Sequence, residues 1–347
     1  MISIGIIGAS GYTGAELLRL CHAHPGFEVA FATGDSQAGV ALAELYPSLA
    51  AAYGERVFDA YEPSLLAGVD LVFCGLPHGA SQSLMVELRQ RVRWVVDLAA
   101  DFRLADASLY PQWYGEPHLV PELLDEFVYG LPELFRDRLV GAAAVATPGC
   151  YPTSAALAMA PLLTEGLVDT SSIIVNAVSG VSGAGRPAKP NTSFCTVDED
   201  FTAYGLLTHR HTPEIEQSVA RLAGVAASEV SVLFTPHLAP MNRGMLATCY
   251  LRPTAPVDTA GLLERYRSFY AGEPFVVVTD SSPSTKACLG SNTAHVTVRS
   301  DPRTGLIVAL AAIDNLTKGA SGQAVQCANI LAGLPETTGL SSVGVYP

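Results

Sequence analysis

Residues 2–21, ISIGIIGASGYTGAELLRLC, decide the fold class of this chain. Ile2–Ile7 is an apolar run that predicts a strand, and glycines follow it at positions 8, 11 and 14. The next segment, 15–21, has the apolar spacing of a helix, which Pro25-Gly26 ends. Phe27–Thr33 is apolar again and predicts a second strand. A strand, a glycine turn, a helix and a strand in this order predict the opening of a parallel, doubly wound sheet.

The glycine turn predicts dinucleotide binding. Glycines allow the backbone to approach a pyrophosphate, which the start of the following helix stabilises. Their spacing, G-x-x-G-x-x-G, differs from the G-x-G-x-x-G fingerprint, so the prediction depends on the position between a strand and a helix. Asp35 lies 21 positions after Gly14 (35 − 14), where an acidic residue usually binds a ribose 2′-hydroxyl and repels a 2′-phosphate. This region alone favours NAD, unless Asp35 turns to solvent.

The remaining pattern predicts two domains. Before Cys150, strands are expected at Leu71–Cys74 and Trp94–Asp97 with helix Ser81–Arg91 between them, and Val140–Ala146 leads to the Cys150 turn. After Cys150, only two helices are expected before the closing one, near Pro213–Leu222 and Val257–Tyr270, among strands at Ile173–Val178, Val230–Thr235, Met245–Leu251, Phe275–Val278, His295–Val298 and Leu306–Ala312. Such a run of strands with few crossovers predicts a mostly antiparallel α+β domain. Asn315–Leu331 predicts a closing helix that returns to the first domain.

Composition disfavours several classes of protein. The 347 residues are 49% apolar and 15% charged, as in a globular protein with room for two domains. A formal charge of −13 without a basic stripe disfavours nucleic acid and anionic membranes as partners. We expect no transmembrane segment and no signal peptide. Seven scattered cysteines without a CxxC pair predict reduced thiols in the cytoplasm.

The segment TPGCYPT, residues 147–153, places Cys150 at the start of a predicted buried helix. Pro152 is compatible with the first helical turn, where its missing N–H has no partner in any case. Unpaired amide N–H groups and the positive end of the helix dipole favour the thiolate, which is the nucleophilic form. An isolated cysteine is more often a small core residue. The histidines downstream shift the interpretation towards catalysis.

The segment THRHTPE, residues 208–214, places three potential cations ahead of a predicted helix. We interpret one histidine as an acid/base and a neighbouring residue as an anion contact. A zinc pair is an alternative, for which Cys195 is the only candidate third ligand, and we predict no metal. Arg103 follows a strand end, and Arg186 ends a loop of small residues at 179–186; both are candidate anion-binding groups.

A thiolate, an imidazole and a nicotinamide pocket together define a small set of reactions. Attack of the thiolate on an acyl group gives a thioester, and hydride delivery then gives a thiohemiacetal. The reverse reaction oxidises an aldehyde. The histidine would transfer the proton of the developing alkoxide, and cationic residues would hold a leaving phosphate.

These motifs resemble the semialdehyde dehydrogenase superfamily and, within it, the N-acetyl-γ-glutamyl-phosphate reductases of arginine biosynthesis. The similar stretches run along the whole chain: GASGYTG, LPHG, DLAADFRL, YGLPE, TPGCYPT, VSGVSGAGR, THRHTPEI and AIDNLTKGASGQAVQ. The Pro-Gly-Cys-Tyr-Pro-Thr stretch differs from aspartate-semialdehyde dehydrogenases, whose cysteine usually follows Asn. The chain departs from the family at Ser154, where Gly or Ala is usual, and at Gly34-Asp35, where Ser and Arg are common.

The resemblance implies a cytoplasmic oxidoreductase of amino-acid biosynthesis, a homodimer or homotetramer. It would use NADPH to reduce N-acetyl-γ-glutamyl phosphate to the semialdehyde and release inorganic phosphate. The implied architecture is a Rossmann-type NADP-binding domain at 1–148 and 315–347, and a mostly antiparallel α+β domain for catalysis and dimerisation at 149–314. Alternatives are a reductase of an aminoadipyl or aspartyl phosphate, a zinc hydrolase, and a non-enzymatic NADP sensor.

The resemblance also implies roles for individual residues. Cys150 would be the nucleophile, His211 the favoured acid/base and His209 a substrate contact, although adjacency in sequence does not decide between the histidines. Asn315, opening the last helix, would reach the nicotinamide. The residues implied for the substrate are Arg103, Arg186 and Ser182, and those implied for the cofactor are Gly8, Ser10, Gly11, Tyr12, Thr13, Gly14, Pro77 and Asn315.

Overall fold

A computed structural model describes all 347 residues and divides them into two compact units. The first unit contains Met1–Tyr110, Glu116–Pro148 and Ala320–Leu340, and the second contains Pro111–Gly115, Gly149–Gly319 and Ser341–Pro347. Residues 111–115, 315–319 and 341–347 belong to the second unit, whereas the predicted domain bounds place them in the first domain.

The chain forms thirteen strands and eleven α-helices. The strands are β1 (Ile2–Ile7), β2 (Phe27–Ala32), β3 (Leu71–Cys74), β4 (Trp94–Asp97), β5 (Phe127–Tyr129), β6 (Ala144–Ala146), β7 (Ile173–Gly180), β8 (Thr202–Ala203), β9 (Val232–Ala239), β10 (Met245–Leu251), β11 (Val276–Val278), β12 (Ala294–Asp301) and β13 (Leu306–Ile313). The helices are α1 (Tyr12–Ala23), α2 (Leu42–Leu45), α3 (Ala50–Tyr53), α4 (Ala80–Arg91), α5 (Tyr110–Tyr114), α6 (Pro132–Leu139), α7 (Cys150–Thr164), α8 (Phe194–Val197), α9 (Thr212–Ala223), α10 (Thr259–Phe269) and α11 (Gly322–Leu331). No helix is both long enough and apolar enough to cross a membrane.

The first unit is built on a six-stranded sheet with the order β2-β1-β3-β4-β6-β5. Every neighbouring pair is parallel, which confirms the predicted doubly wound sheet. Every residue of β3 and β4 is buried, as expected for central strands covered on both faces. The late helix α11 packs against α1, α6 and β4 within this unit, as the closing helix was expected to do.

The second unit contains a seven-stranded sheet with the order β11-β12-β13-β10-β7-β9-β8. Four strand pairs are antiparallel and two are parallel, so the predicted mostly antiparallel α+β class is confirmed. Helix α7 packs against β10, β13 and α9, and only its ends are exposed to solvent. It continues through Pro161 to Thr164. Pro161 has no N–H for the carbonyl of Leu157, and the hydroxyl of Tyr270 donates to that oxygen at 2.5 Å instead.

The expected helix start at Asn315 is wrong. A π-helical turn spans Thr317–Ser321, and α11 follows it at Gly322. The carboxylate of Asp314 accepts hydrogen bonds from the N–H groups of Leu316 and Thr317, at 2.8 and 3.0 Å, and so caps the turn one residue before Asn315.

Candidate active site

The glycine turn after β1 has the backbone that a dinucleotide cradle requires. Gly8 has φ +81°, and a Cβ on it would lie 2.5 Å from the carbonyl oxygen of Gly75. A Cβ on Gly14 would lie 2.4 Å from the Cα of Ala9. Both positions therefore exclude a side chain, whereas Gly11 has only ordinary contacts. A helix leaves its first N–H groups without partners inside the helix, and an anionic diphosphate is the kind of group that such N–H groups bind.

The other residues implied for the cofactor, apart from Asn315, lie at this same edge of the first unit. Ser10 Oγ donates to the carbonyl oxygen of Gly34 at 3.1 Å, which ties the glycine turn to the end of β2. Tyr12 and Thr13 are the first, partly exposed residues of α1, and Pro77 is exposed after β3. The carboxyl ends of parallel strands are where doubly wound sheets bind ligands.

Asp35 is exposed and has a left-handed backbone, with φ +48°. It begins a short 3-10 turn, Asp35–Gln37, three residues after the end of β2. Aspartate tolerates this conformation better than most residues other than glycine. The side chain of Asp35 is therefore accessible to solvent.

Arg103 is held in the first unit by two backbone carbonyls. Its Nε donates to the oxygen of Thr147 at 2.8 Å, and its Nη2 donates to the oxygen of Leu98 at 2.7 Å. In the same loop, Asp101 pairs with His78 and accepts from the N–H of Gly79. The guanidinium is thus positioned by the residues that directly follow β4 and β6.

A buried carboxylate pair underlies this loop. Asp97 and Asp101 are both fully buried, and Ser81 Oγ lies 3.2 Å from Oδ2 of Asp97 and 2.6 Å from Oδ2 of Asp101. Burial and the neighbouring charge of Asp101 raise the pKa of Asp97 to about 7. Burial opposes ionisation of Asp101 too, but the hydrogen bonds from His78 and Ser81 outweigh it and lower the pKa of that carboxyl to about 2.

In the second unit, Cys150 is the first residue of α7, as predicted. Gly149, the residue before it, is buried, and its N–H donates to Oε1 of Glu214 at 2.9 Å. Cys150 itself is partly exposed and lines a cavity of about 390 Å³. The thiol therefore lies at the start of a helix and faces open space, rather than being enclosed in apolar packing.

Both histidines of the THRHTPE segment line the same cavity as Cys150. Their ring centroids are 4.9 Å apart, and those of His209 and His211 lie 5.6 and 5.8 Å from the ring of Tyr151. The N–H of His211 donates to Nδ1 of His209 at 3.1 Å, so the proton of a neutral His209 ring is on Nε2. Burial, followed by the charge of Arg210, lowers the pKa of His209 to about 4. His209 is therefore uncharged near neutral pH, and His211 stands at the start of α9.

The remaining predicted residues have different surroundings. Ser182 and Asn315 contact each other: Nδ2 of Asn315 donates to Oγ of Ser182 at 2.9 Å, while Oδ1 of Asn315 accepts from the N–H of Gly244 at 2.7 Å. Arg186 is not among the residues that line the cavity with Cys150. The structure groups no three His, Cys, Asp or Glu side chains that could hold a metal ion, so the zinc alternative has no geometric support.

Three residues near Cys150 are not revealed by the sequence. Lys189 and Tyr204 line the cavity, and Glu214 binds the N–H next to the thiol. The only sequence signal for Glu214 is its place in the THRHTPE segment. Lys189 and Tyr204 follow the small-residue loop and lack a motif of their own.

Comparison with known proteins decides the family. Residues 3–142 match the family model described as semialdehyde dehydrogenase, NAD binding domain, and residues 150–315 match semialdehyde dehydrogenase, dimerisation domain. The chain belongs to the semialdehyde dehydrogenase family. Within it, the chain is 49% identical to the N-acetyl-gamma-glutamyl-phosphate reductase of Geotalea daltonii, over 100% of both chains. It is 50% identical to that of Symbiobacterium thermophilum, over 100% of this chain and 99% of the relative. It is thus a member of the N-acetyl-γ-glutamyl-phosphate reductase group.

Solved structures of aspartate semialdehyde dehydrogenases share the fold. Aspartate semialdehyde dehydrogenase II from Vibrio cholerae superposes with a TM-score of 0.71 at 16% identity, covering 96% of this chain and 99% of that one. The enzyme from Candida albicans, solved with NADP, gives a TM-score of 0.70 at 15% identity, with coverages of 96% and 98%. At these identities the likeness concerns the fold alone.

Proposed function

We propose that the chain reduces N-acetyl-γ-glutamyl phosphate to N-acetylglutamate semialdehyde and releases inorganic phosphate. The observation that carries the proposal is the position of Cys150, which begins a buried helix and shares a cavity with two histidines. The reductases named above, which match this chain over its full length, support the choice of substrate.

Cys150 performs the covalent step. Its thiolate attacks the acyl carbon, the carbon–sulfur bond forms, and the carbon–oxygen bond to phosphate breaks, which leaves a thioester on Cys150. A reduced nicotinamide, when bound, supplies the hydride. His211 donates a proton to the developing alkoxide and takes it back as the carbon–sulfur bond breaks, which frees the aldehyde and restores the thiolate. His209 accepts from the backbone N–H of His211 and so orients the start of α9.

We infer that the coenzyme is NADPH. The turn at Gly8 and Gly14 fits a diphosphate group, because a Cβ on either residue would collide with neighbouring backbone. Asp35 is exposed, and water weakens the repulsion between its carboxylate and a 2′-phosphate. We expect Asp35→Ser to lower the KM for NADPH and to leave the KM for NADH unchanged or higher. Turnover with NADH alone would contradict the choice of NADPH.

The thiol variant tests the reaction. Cys150→Ala should abolish phosphate-dependent oxidation of N-acetylglutamate semialdehyde, while binding of NADPH, measured by its fluorescence, should persist. Cys195→Ala is the matched control, because Cys195 is exposed and does not line the cavity. Retained turnover by Cys150→Ala would contradict the covalent scheme. If the unchanged enzyme turned over aspartate semialdehyde or aminoadipate semialdehyde faster, that compound would replace N-acetylglutamate semialdehyde as the proposed substrate.

We also propose that the enzyme is a homodimer or homotetramer in the cytoplasm. The second unit exposes large apolar side chains, including Phe194, Phe201 and Leu207, which are 78%, 58% and 73% exposed. Large exposed apolar patches commonly mark protein interfaces. All seven cysteines are free thiols, as a reducing compartment allows. Analytical ultracentrifugation measures the assembly, and a monomer at micromolar concentration would contradict it.

A further inference from the structure

We propose that Lys189 binds the carboxylate of the substrate and thereby selects an acidic acyl chain. The inference rests on the proposed function, because it assigns a recognition role within the same cavity. Lys189 is exposed and lines the cavity that contains Cys150 and both histidines. Asp200 is the only carboxylate among the lining residues. The cavity therefore has a surplus of positive charge within a strongly acidic protein.

The other potential cations of the cavity are less suited to this role. His209 is uncharged near neutral pH, because burial lowers its pKa to about 4. The guanidinium of Arg210 lies 5.7 Å from the ring centroid of Tyr114, in a cation–π contact. His211 is assigned to proton transfer. Lys189, in contrast, makes no ion pair within the chain. Its charge is therefore available to an anionic group of a ligand.

The composition of the chain makes this position unusual. The sequence contains only three lysines, Lys189, Lys286 and Lys318, among 20 basic residues. A formal charge of −13 opposes the approach of an anionic substrate, so binding requires a local cation. A lysine ammonium on its long flexible stem provides a point charge that can reach a carboxylate.

The uncharged lining residues fit the rest of an N-acylated acidic amino acid. Asn191 and Thr192, close to Lys189 in sequence, line the cavity together with Thr202 and Tyr204. Their amide and hydroxyl groups can donate to and accept from an acylated amine. The proposed ligand class is thus an acyl chain that carries one carboxylate and one amide.

A kinetic experiment tests the role of Lys189. For Lys189→Met we expect the KM for N-acetylglutamate semialdehyde to rise about tenfold or more, as expected for the loss of one charge-assisted hydrogen bond. The kcat should stay within about threefold, and turnover of butanal, which has no carboxylate, should not change. Lys189→Arg should restore part of the KM. Lys286→Met is the matched control, because Lys286 is exposed but does not line the cavity. An unchanged KM in Lys189→Met, or an equal loss with butanal, would overturn the proposal.

Chemical labelling provides a readout that does not require turnover. Trinitrobenzenesulfonate should modify Lys189 and Lys286 but not Lys318, which is fully buried. We expect N-acetylglutamate to protect Lys189 and not Lys286, as measured by mass spectrometry of the peptides. Equal modification with and without saturating N-acetylglutamate would overturn the carboxylate site. Protection without turnover of the semialdehyde would instead refute the proposed reaction and leave the carboxylate site supported.

Discussion

A Cβ placed on Gly319 would lie 2.8 Å from the Cβ of Cys150, so the residue that packs against the nucleophile has no room for a side chain. Gly319 belongs to the π-helical turn Thr317–Ser321, and its N–H donates to the carbonyl oxygen of Asp314 at 2.9 Å. Single π-turns inside helices are frequent at functional sites. Here the turn places the backbone of Gly319 against the side chain of Cys150.

Substitution of Gly319 is therefore expected to displace Cys150. We predict that Gly319→Ala lowers kcat by about 100-fold, since a shift of about 1 Å at a reacting group can have that effect. The rate of alkylation of Cys150 by iodoacetamide should change in parallel. Gly261→Ala is the matched control, because a Cβ there has only ordinary contacts. Unchanged kinetics in Gly319→Ala would mean that the neighbouring backbone yields without moving the thiol.

Glu214 stabilises the segment that precedes the nucleophile. Glu214→Ala leaves the buried N–H of Gly149 without its acceptor, so we expect the free energy of unfolding to fall by about 1–3 kcal/mol. Glu214→Gln retains an acceptor oxygen and should lose less than half of that amount. Urea denaturation measures both values, with exposed Glu264→Ala as a control that should change little. Equal losses in the Ala and Gln variants would assign the stabilisation to the charge instead of the hydrogen bond.

His209 should make the protein sensitive to acid. Its pKa is about 4 in the folded protein, against an ordinary value of 6.5, so between these values the unfolded chain binds the extra proton. Stability contributed by the neutral imidazole is complete above pH 6.5 and is lost as the pH falls towards 4. We predict that His209→Gln loses less stability than the unchanged protein between pH 7 and pH 4.5, measured by urea midpoints. Parallel losses would show that folding does not lower the pKa of His209.

Asp97 should have the opposite pH dependence. Ser81 has one hydroxyl proton and can therefore donate to only one of the two carboxylates. A protonated Asp97 donates to Oγ of Ser81, while the hydroxyl of Ser81 donates to Asp101. The folded pKa of about 7 exceeds the ordinary value of 3.8, so stability from the acid form is complete below pH 3.8 and is lost as the pH rises through 7. We predict that Asp97→Asn keeps its melting temperature between pH 6 and pH 8.5 better than the unchanged protein. A steeper loss in the variant would contradict a neutral Asp97.

Local patterns predicted the central elements well. Leu71–Cys74 and Trp94–Asp97 are strands with the predicted bounds, because short apolar runs form them, one between Asp70 and Gly75 and the other between Arg93 and Asp97. Strand β5 was outside the prediction, since its three residues are too few for a periodic signal. The start of the last helix was misplaced because it depends on the Asp314 cap, a side-chain choice that apolar spacing does not encode.

In the candidate site, too, some residues could be predicted from local sequence and others could not. Cys150, His209 and His211 lie in short motifs whose chemistry is visible in the sequence, and the structure brings them to one cavity. Glu214 acts on Gly149 across 65 positions of chain, a contact that only the packing of α7 on α9 creates. Lys189 reaches the cavity through a loop without regular periodicity. Contacts of this kind follow from tertiary structure and have no local signature.

The return of α11 to the first unit sets the order in which this protein can fold during translation. Val325, Ala328 and Leu331 complete the apolar core that also contains Leu17, Leu18 and Val96. The ribosome synthesises the whole of 149–319 before these residues, so the nascent first unit keeps an uncovered apolar face until they emerge. Until then, chaperones and proteases have access to that apolar face. A nonsense mutation within 149–319 leaves the face exposed permanently.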